Sequence, residues 1–199
     1  MLAESYIKST EPAVQLMFMG LQLYHHLTPR PSLTQYRKDN GGIEMHRDQA
    51  RDFLKDEIDA MSLDFAKAML SGAIIQTAYS GLNQHSAETR IPSKLPITTD
   101  EKKAKFCVGR TVHGLPLGLV VYAARIQYNH WEEGMPKNPT AKDVFLHLAK
   151  VRMNDPWHDL VYELDWPVAR PVTHHVLELE LQWHRYEDYL SDMKQMLQL

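Results

Sequence analysis

The chain has 199 residues, 44% of them hydrophobic, with 9 glycines and 11 prolines, which predicts one globular domain over 1–199 with a core of its own. A formal net charge of −3 gives no global field for a polyanion or an anionic membrane, so any nucleic-acid binding must rest on a local patch. The single cysteine, Cys107, excludes an intrachain disulfide and a cysteine-based zinc knuckle, and fits a reducing cytoplasm.

The N-terminal run MLAESYIKSTEPAV has no basic region leading into an apolar one, so no signal peptide is expected. No apolar run approaches the length of a bilayer crossing, so no membrane contact is expected and the protein reads as cytoplasmic. The first helix is predicted to start at Thr10, whose hydroxyl can cap it ahead of Glu11 and Pro12. It runs through VQLMFMGLQLYHHL and stops at the prolines of TPRPS. YRKDNGGIEM (36–45) reads as a loop turning at Asn40-Gly41-Gly42.

Leu54, Ile58, Met61, Phe65 and Met69 then recur at helical steps, continued by Ile75, Tyr79 and Leu82. A helix from Asp48 to Leu82 is roughly 50 Å long at 1.5 Å per residue, the length of a bundle spine or an oligomer seam. Met17, Phe18, Met61, Phe65 and Met69 are read as core or dimer seam, and Gly72 as a close helix contact or a bend. NQHSAETRIPSKLPIT is a connection, TTDEKKAKF a short charged helix, and 109–118 a glycine-containing break.

From Leu115 to Ile126 the chain is apolar all round until Arg125 interrupts it, which predicts a helix buried on every side. Arginine is rarely buried without a partner, so Arg125 should meet a cleft, an interface or a carboxylate. His130 follows five residues later, at about 140° around the helix. AKDVFLHLAKVR (141–152) is another amphipathic helix, and MNDPWHDLVYELDWPVARP is irregular. From about Thr173, LELELQW alternates like a strand, yet its composition and the stripe of Val176, Trp183, Tyr186, Leu190, Met193 and Leu197 predict a long C-terminal helix. The expected fold is therefore all-α, a bundle of about five helices with long second and C-terminal members.

Arginine and histidine, without cysteine or a carboxylate cage, suit acid–base chemistry on a phosphodiester. A histidine near its ordinary pKa can take the proton of a ribose 2′-hydroxyl, while a guanidinium grips the phosphate. No metal or other cofactor is needed, and the products would be a 2′,3′-cyclic phosphate and a 5′-hydroxyl. An arginine followed by a histidine at this range also occurs as Arg152/His158 and Arg170/His175, and roughly one or two such matches are expected by chance. Only Arg125/His130 sits on a strongly apolar helix.

In this setting YAARIQYNHWEE resembles the signature of the HEPN superfamily, small helical ribonucleases and RNA-binding domains that carry an arginine, four to six residues, then a histidine. The resemblance implies a HEPN-like bundle that dimerises to bring two motifs into one cleft and acts on RNA, in a toxin–antitoxin or antiphage setting with an antitoxin or defence-system partner. Arg125 would stabilise the phosphate and His130 would be the catalytic histidine. The family's polar residue after the arginine is Ile126 here, and Asn129 is the candidate substitute. Glu132 stands where some toxin members carry a tyrosine, and with Glu133 it is placed to hold Arg125 or orient His130. One alternative is a catalytically inactive HEPN-like helical binding or adaptor module making protein or RNA contacts; another is that the pair is structural, with Arg125 on a buried carboxylate and His130 capping the helix or packing in the core.

Lys102, Lys103, Lys105 and Arg110 precede the motif helix and are candidate phosphate-backbone contacts, although such a run is ordinarily a solvated face. Cys107 reads as core. His25-His26, His174-His175 with Glu178, and Glu180 with His184 on one helix face raise a metal site. Neither H-E-x-x-H nor a paired E-x-x-H motif accompanies them, so none is expected.

Overall fold

A computed structural model of the chain describes residues 2–25, 47–152, 162 and 171–199, with the backbone alone for residue 25 and residues 47–61. Helix α1 spans Leu2–His25 and buries Ile7, Val14, Phe18 and Leu21, a helically spaced face. It begins eight residues earlier than Thr10. The Thr10 hydroxyl donates back to the carbonyls of Tyr6 and Ile7, at 3.0 and 3.2 Å, instead of capping a terminus. Pro12 lies inside the helix.

Helix α2, Arg47–His85, is the spine, 39 residues long. Its buried residues Ala68, Ile74, Ile75, Ala78 and Leu82 face the core. Of the residues read as core or dimer seam, Phe65 and Met69 are not core, being 46% and 43% exposed. The side chains of Leu54, Ile58 and Met61 lie outside the described residues, as does the 36–45 loop. Helix α1 runs antiparallel along α2: Tyr6 donates its hydroxyl to the Thr77 carbonyl at 2.7 Å, while Gly20 sits against Leu70.

TTDEKKAKF forms a 3₁₀ turn, Glu101–Phe106. The glycine-containing break is a small hairpin, β1 Thr111–Val112 with β2 Leu115–Pro116, antiparallel with Val112 opposite Leu115. His113 and Gly114 turn it with φ of 51° and 83°, the positive pair that suits the twist of a two-residue hairpin loop. Two strands of two residues each leave the described chain mostly helical, in agreement with the all-α expectation.

Helix α3, Leu117–Asn129, starts directly after Pro116 and buries every residue from Leu117 to Ala124, together with Gln127. Gly72 of α2 is a contact and not a bend: a Cβ there would lie 2.2 Å from the Tyr128 ring of α3. Helix α4, Pro139–Arg152, follows with proline at its first position, and the Asn138 side chain accepts the Ala141 N–H at 3.0 Å.

The long C-terminal helix is corrected. Helix α5, Thr173–His175, passes into a π turn over Val176–Glu180 and stops, and α6 covers Tyr186–Met196. Gln182 takes φ 52° in the break. The turn buries Trp183 completely and lets its indole N–H donate to Asp192 at 2.8 Å. The Arg185 N–H donates to Asp188 at 3.1 Å to begin the next helix. A straight helix would have carried the indole away from that carboxylate.

Candidate functional site

The seam between α2 and α3 holds the motif. On α2, Phe65, Met69, Gly72, Gln76, Tyr79 and Asn83 share one face, because their spacing repeats the helical period. Each meets α3 or its flanks in reverse order. Phe65 contacts Trp131, Met69 and Gly72 meet Tyr128, Gln76 and Tyr79 meet Arg125, and Asn83 meets Lys105.

Arg125 is half-buried on this seam. Its Nε donates to Gln76 Oε1 at 3.2 Å, and its guanidinium lies 4.7 Å from the centre of the Tyr79 ring. With the Asn129 amide turned so that both groups are satisfied, its oxygen accepts from Arg125 Nη2 at 3.0 Å and Nε at 3.1 Å. Tyr79 is in turn stacked on Phe106, with centroids 5.2 Å apart and planes at 14°. Among the described residues Arg125 has three partners, and all are neutral. Neither Glu132 nor Glu133 holds it, and the carboxylate expected of a structural arginine is replaced by two amides and a ring face.

His130 closes α3 in a non-helical conformation, φ −133° and ψ 25°, with its side chain 54% exposed. Its Nδ1 lies 3.0 Å from Glu133 Oε1. A carboxylate only accepts, so Nδ1 carries the proton and Nε2 of the neutral ring is the basic atom. Glu133 is also bridged to Lys137 at 2.7 Å. Lys137 first and His130 second hold its carboxyl below the ordinary glutamate range. Arg125 and His130 thus reach different partners while sharing one helix end.

The candidate phosphate contacts divide. Lys102 is exposed. Lys103 reaches Asp100 at 3.3 Å and lies 5.5 Å from the centre of the Tyr122 ring. Lys105 donates to the Asn83 carbonyl at 3.1 Å and to its Oδ1 at 3.0 Å, both neutral. Arg110 points elsewhere: it binds both Asp192 carboxylate oxygens at 3.1 to 3.2 Å and also donates to the Leu181 carbonyl. Burial, with Glu88 second, pushes the Cys107 thiol up to about 11.

Two other polar clusters are structural. The buried Glu180 carboxylate accepts from Arg152 Nε at 2.6 Å and from the Tyr162 hydroxyl at 2.7 Å, with His113 Nε2 at 3.2 Å. It shares no helix face with His184, because the π turn ends between them. Ser71, His174 and Glu178 line up like a catalytic triad, at 3.1 and 3.4 Å. Ser71 is fully buried within α2, where the helix commits the backbone N–H groups that an oxyanion would need. Among the described residues no three histidine, cysteine, aspartate or glutamate side chains converge as a metal would require. His158 and Arg170 of the other two Arg/His pairs, the side chain of His25 and all of His26 lie outside the described residues.

Sequence reasoning missed Gln76, an unremarkable glutamine on the spine. Its only signal was its place one helical step past Gly72, on the face where α3 packs. No protein-family model, curated protein or solved structure matches the chain.

Proposed function

We propose that the protein is a metal-independent endoribonuclease in which Arg125 clamps the scissile phosphate and His130 takes the 2′-hydroxyl proton. The observation that carries this reading is the half-buried guanidinium of Arg125, whose charge no carboxylate opposes among the described residues. A cation held by dipoles and a ring keeps its full charge for an anion, and its planar fork suits two phosphate oxygens. Gln76, Asn129 and Tyr79 fix its direction in advance, so no side-chain ordering is left for the transition state. His130 supplies the proton acceptor from the end of the same helix, with Glu133 fixing the tautomer that leaves Nε2 basic. Two protomers would place two such pairs along one groove, in a toxin–antitoxin or antiphage setting.

Cleavage of an oligoribonucleotide in excess EDTA tests the reading. The expected products carry 2′,3′-cyclic phosphate and 5′-hydroxyl ends, and a 2′-deoxy substitution at the cut site stops cleavage there. Activity that vanishes in EDTA and returns with a divalent ion, or products with 5′-phosphates, would overturn it.

A second reading is a catalytically silent RNA-binding or adaptor module. It is favoured by Ile126 beside the arginine and by the separate partners of Arg125 and His130. Tight RNA binding without turnover is its expected result.

A further inference from the structure

The seam of α2 and α3 carries more than the motif. At one end, Phe65 and Trp131 stand 6.1 Å apart with ring planes at 71°, and Phe65 is 46% exposed on a helix face where aromatic residues are normally buried. The two rings form an angled corner beside His130, the residue that precedes Trp131. In the middle lies Arg125, and at the far end Lys105, which donates to Asn83. From Phe65 to Asn83 on α2 this strip measures about 27 Å at 1.5 Å per residue.

We infer that this strip is a track for single-stranded RNA, with the Phe65–Trp131 corner seating an unpaired base at one end and Arg125 holding a phosphate midway along it. The inference rests on the ribonuclease reading and names its substrate class. Rings and cations in succession match a strand in which bases and phosphates succeed one another. Stacking supplies affinity without choosing a sequence, and cations follow the backbone. A base inside a duplex is already stacked between its neighbours and cannot enter the corner. A packing partner made of protein would need carboxylates for Arg125 and Lys105, whereas RNA brings a negative charge at every step. Asp64, Glu132 and Glu133 flank the corner in the sequence, and of these Glu133 is already bridged to Lys137.

The test uses a fluorescein-labelled 2′-O-methyl oligonucleotide, which cannot be cleaved, as a single strand and as a duplex, with binding followed by anisotropy. The wild-type chain is expected to bind the single strand at least tenfold more tightly than the duplex. Phe65→Ala and Trp131→Ala are each expected to weaken single-strand binding by about tenfold and to leave duplex binding alone. Leu23→Ala, exposed on α1 away from the seam, is expected to change neither. Because Phe65 is exposed, its variant carries the test even where Trp131→Ala fails to fold. Equal binding of strand and duplex, or unchanged binding by Phe65→Ala, overturns the track while leaving the nuclease reading intact. Binding as expected with no cleavage of ordinary RNA supports the track and removes the nuclease. Loss of self-association in Phe65→Ala, with no RNA binding by the wild type, assigns the strip to a second copy of the chain and overturns the inference.

Discussion

Arg125 and Arg110 show how one residue type takes two roles. Arg110 is locked to a carboxylate that also holds the Trp183 indole, so Asp192→Ala strands a guanidinium and a buried N–H together. With Arg110 partly exposed and still donating to the Leu181 carbonyl, the loss should be about 1–3 kcal/mol in a denaturant titration, most of it from the buried indole N–H. Arg125→Ala loses a ring contact and its hydrogen bonds to two amides on a half-buried seam, and should cost about 1 kcal/mol or less. Comparable losses in the two variants would make Arg125 architecture. Arg125 stood out in the sequence because it interrupts an apolar run. The fate of Arg110 was not legible there, since its partner lies 82 residues away in sequence. The thiol of Cys107 gives a pH-dependent check at the same scale. Its folded pKa of about 11 exceeds the ordinary value of about 8.5. The protonated form is therefore favoured by folding, and its contribution to stability is complete below about 8.5 and lost as the pH rises through about 11. Alkylation of the folded chain should be slow at pH 7.5 and accelerate above pH 9. Rapid labelling at neutral pH contradicts this placement.

At the scale of elements, helix positions were readable where period and composition agreed, as along α2 and α3. They were misread where a distant side chain decided the matter. Val176, Trp183, Tyr186 and Leu190 keep a helical rhythm across a break, because both sides of the break bury their stripe against the same core. Trp183 reaching Asp192 and Gln182 entering the left-handed region replace continuation. Gln182→Gly should therefore stabilise the chain by about 0.5–1 kcal/mol, because glycine adopts that φ without steric cost. A destabilised variant in thermal melts would mean that the Gln182 side chain contributes more than its strain removes. Gly72 tests the α2–α3 contact in the other direction. Alanine would gain about 1 kcal/mol of helix propensity, yet its Cβ would fall 2.2 Å from the Tyr128 ring. Gly72→Ala is expected to destabilise by about 1–2 kcal/mol net, and a much smaller effect is expected in a Tyr128→Ala background. Equal effects in the two backgrounds would place the clash elsewhere.

The whole molecule is a helical assembly with a spine whose apolar residues are not all covered. Besides the Phe65–Trp131 corner, Leu16, Met19 and Leu23 lie exposed on the outer face of α1. Among the described residues no helix is long and apolar enough to cross a membrane. A two-fold dimer is the expected state, and light scattering across the micromolar range should report twice the chain mass; a monomer throughout would contradict it. In the proposed reaction Arg125 and His130 work together as clamp and base. Its most direct measurement is single-turnover RNA cleavage in EDTA by the wild type, Arg125→Ala and His130→Ala, each first shown to melt within a few degrees of the wild type. The wild type is expected to cleave, and both variants to lose at least a thousandfold, about 4 kcal/mol of transition-state stabilisation. Either folded variant cutting within tenfold of the wild-type rate would contradict it.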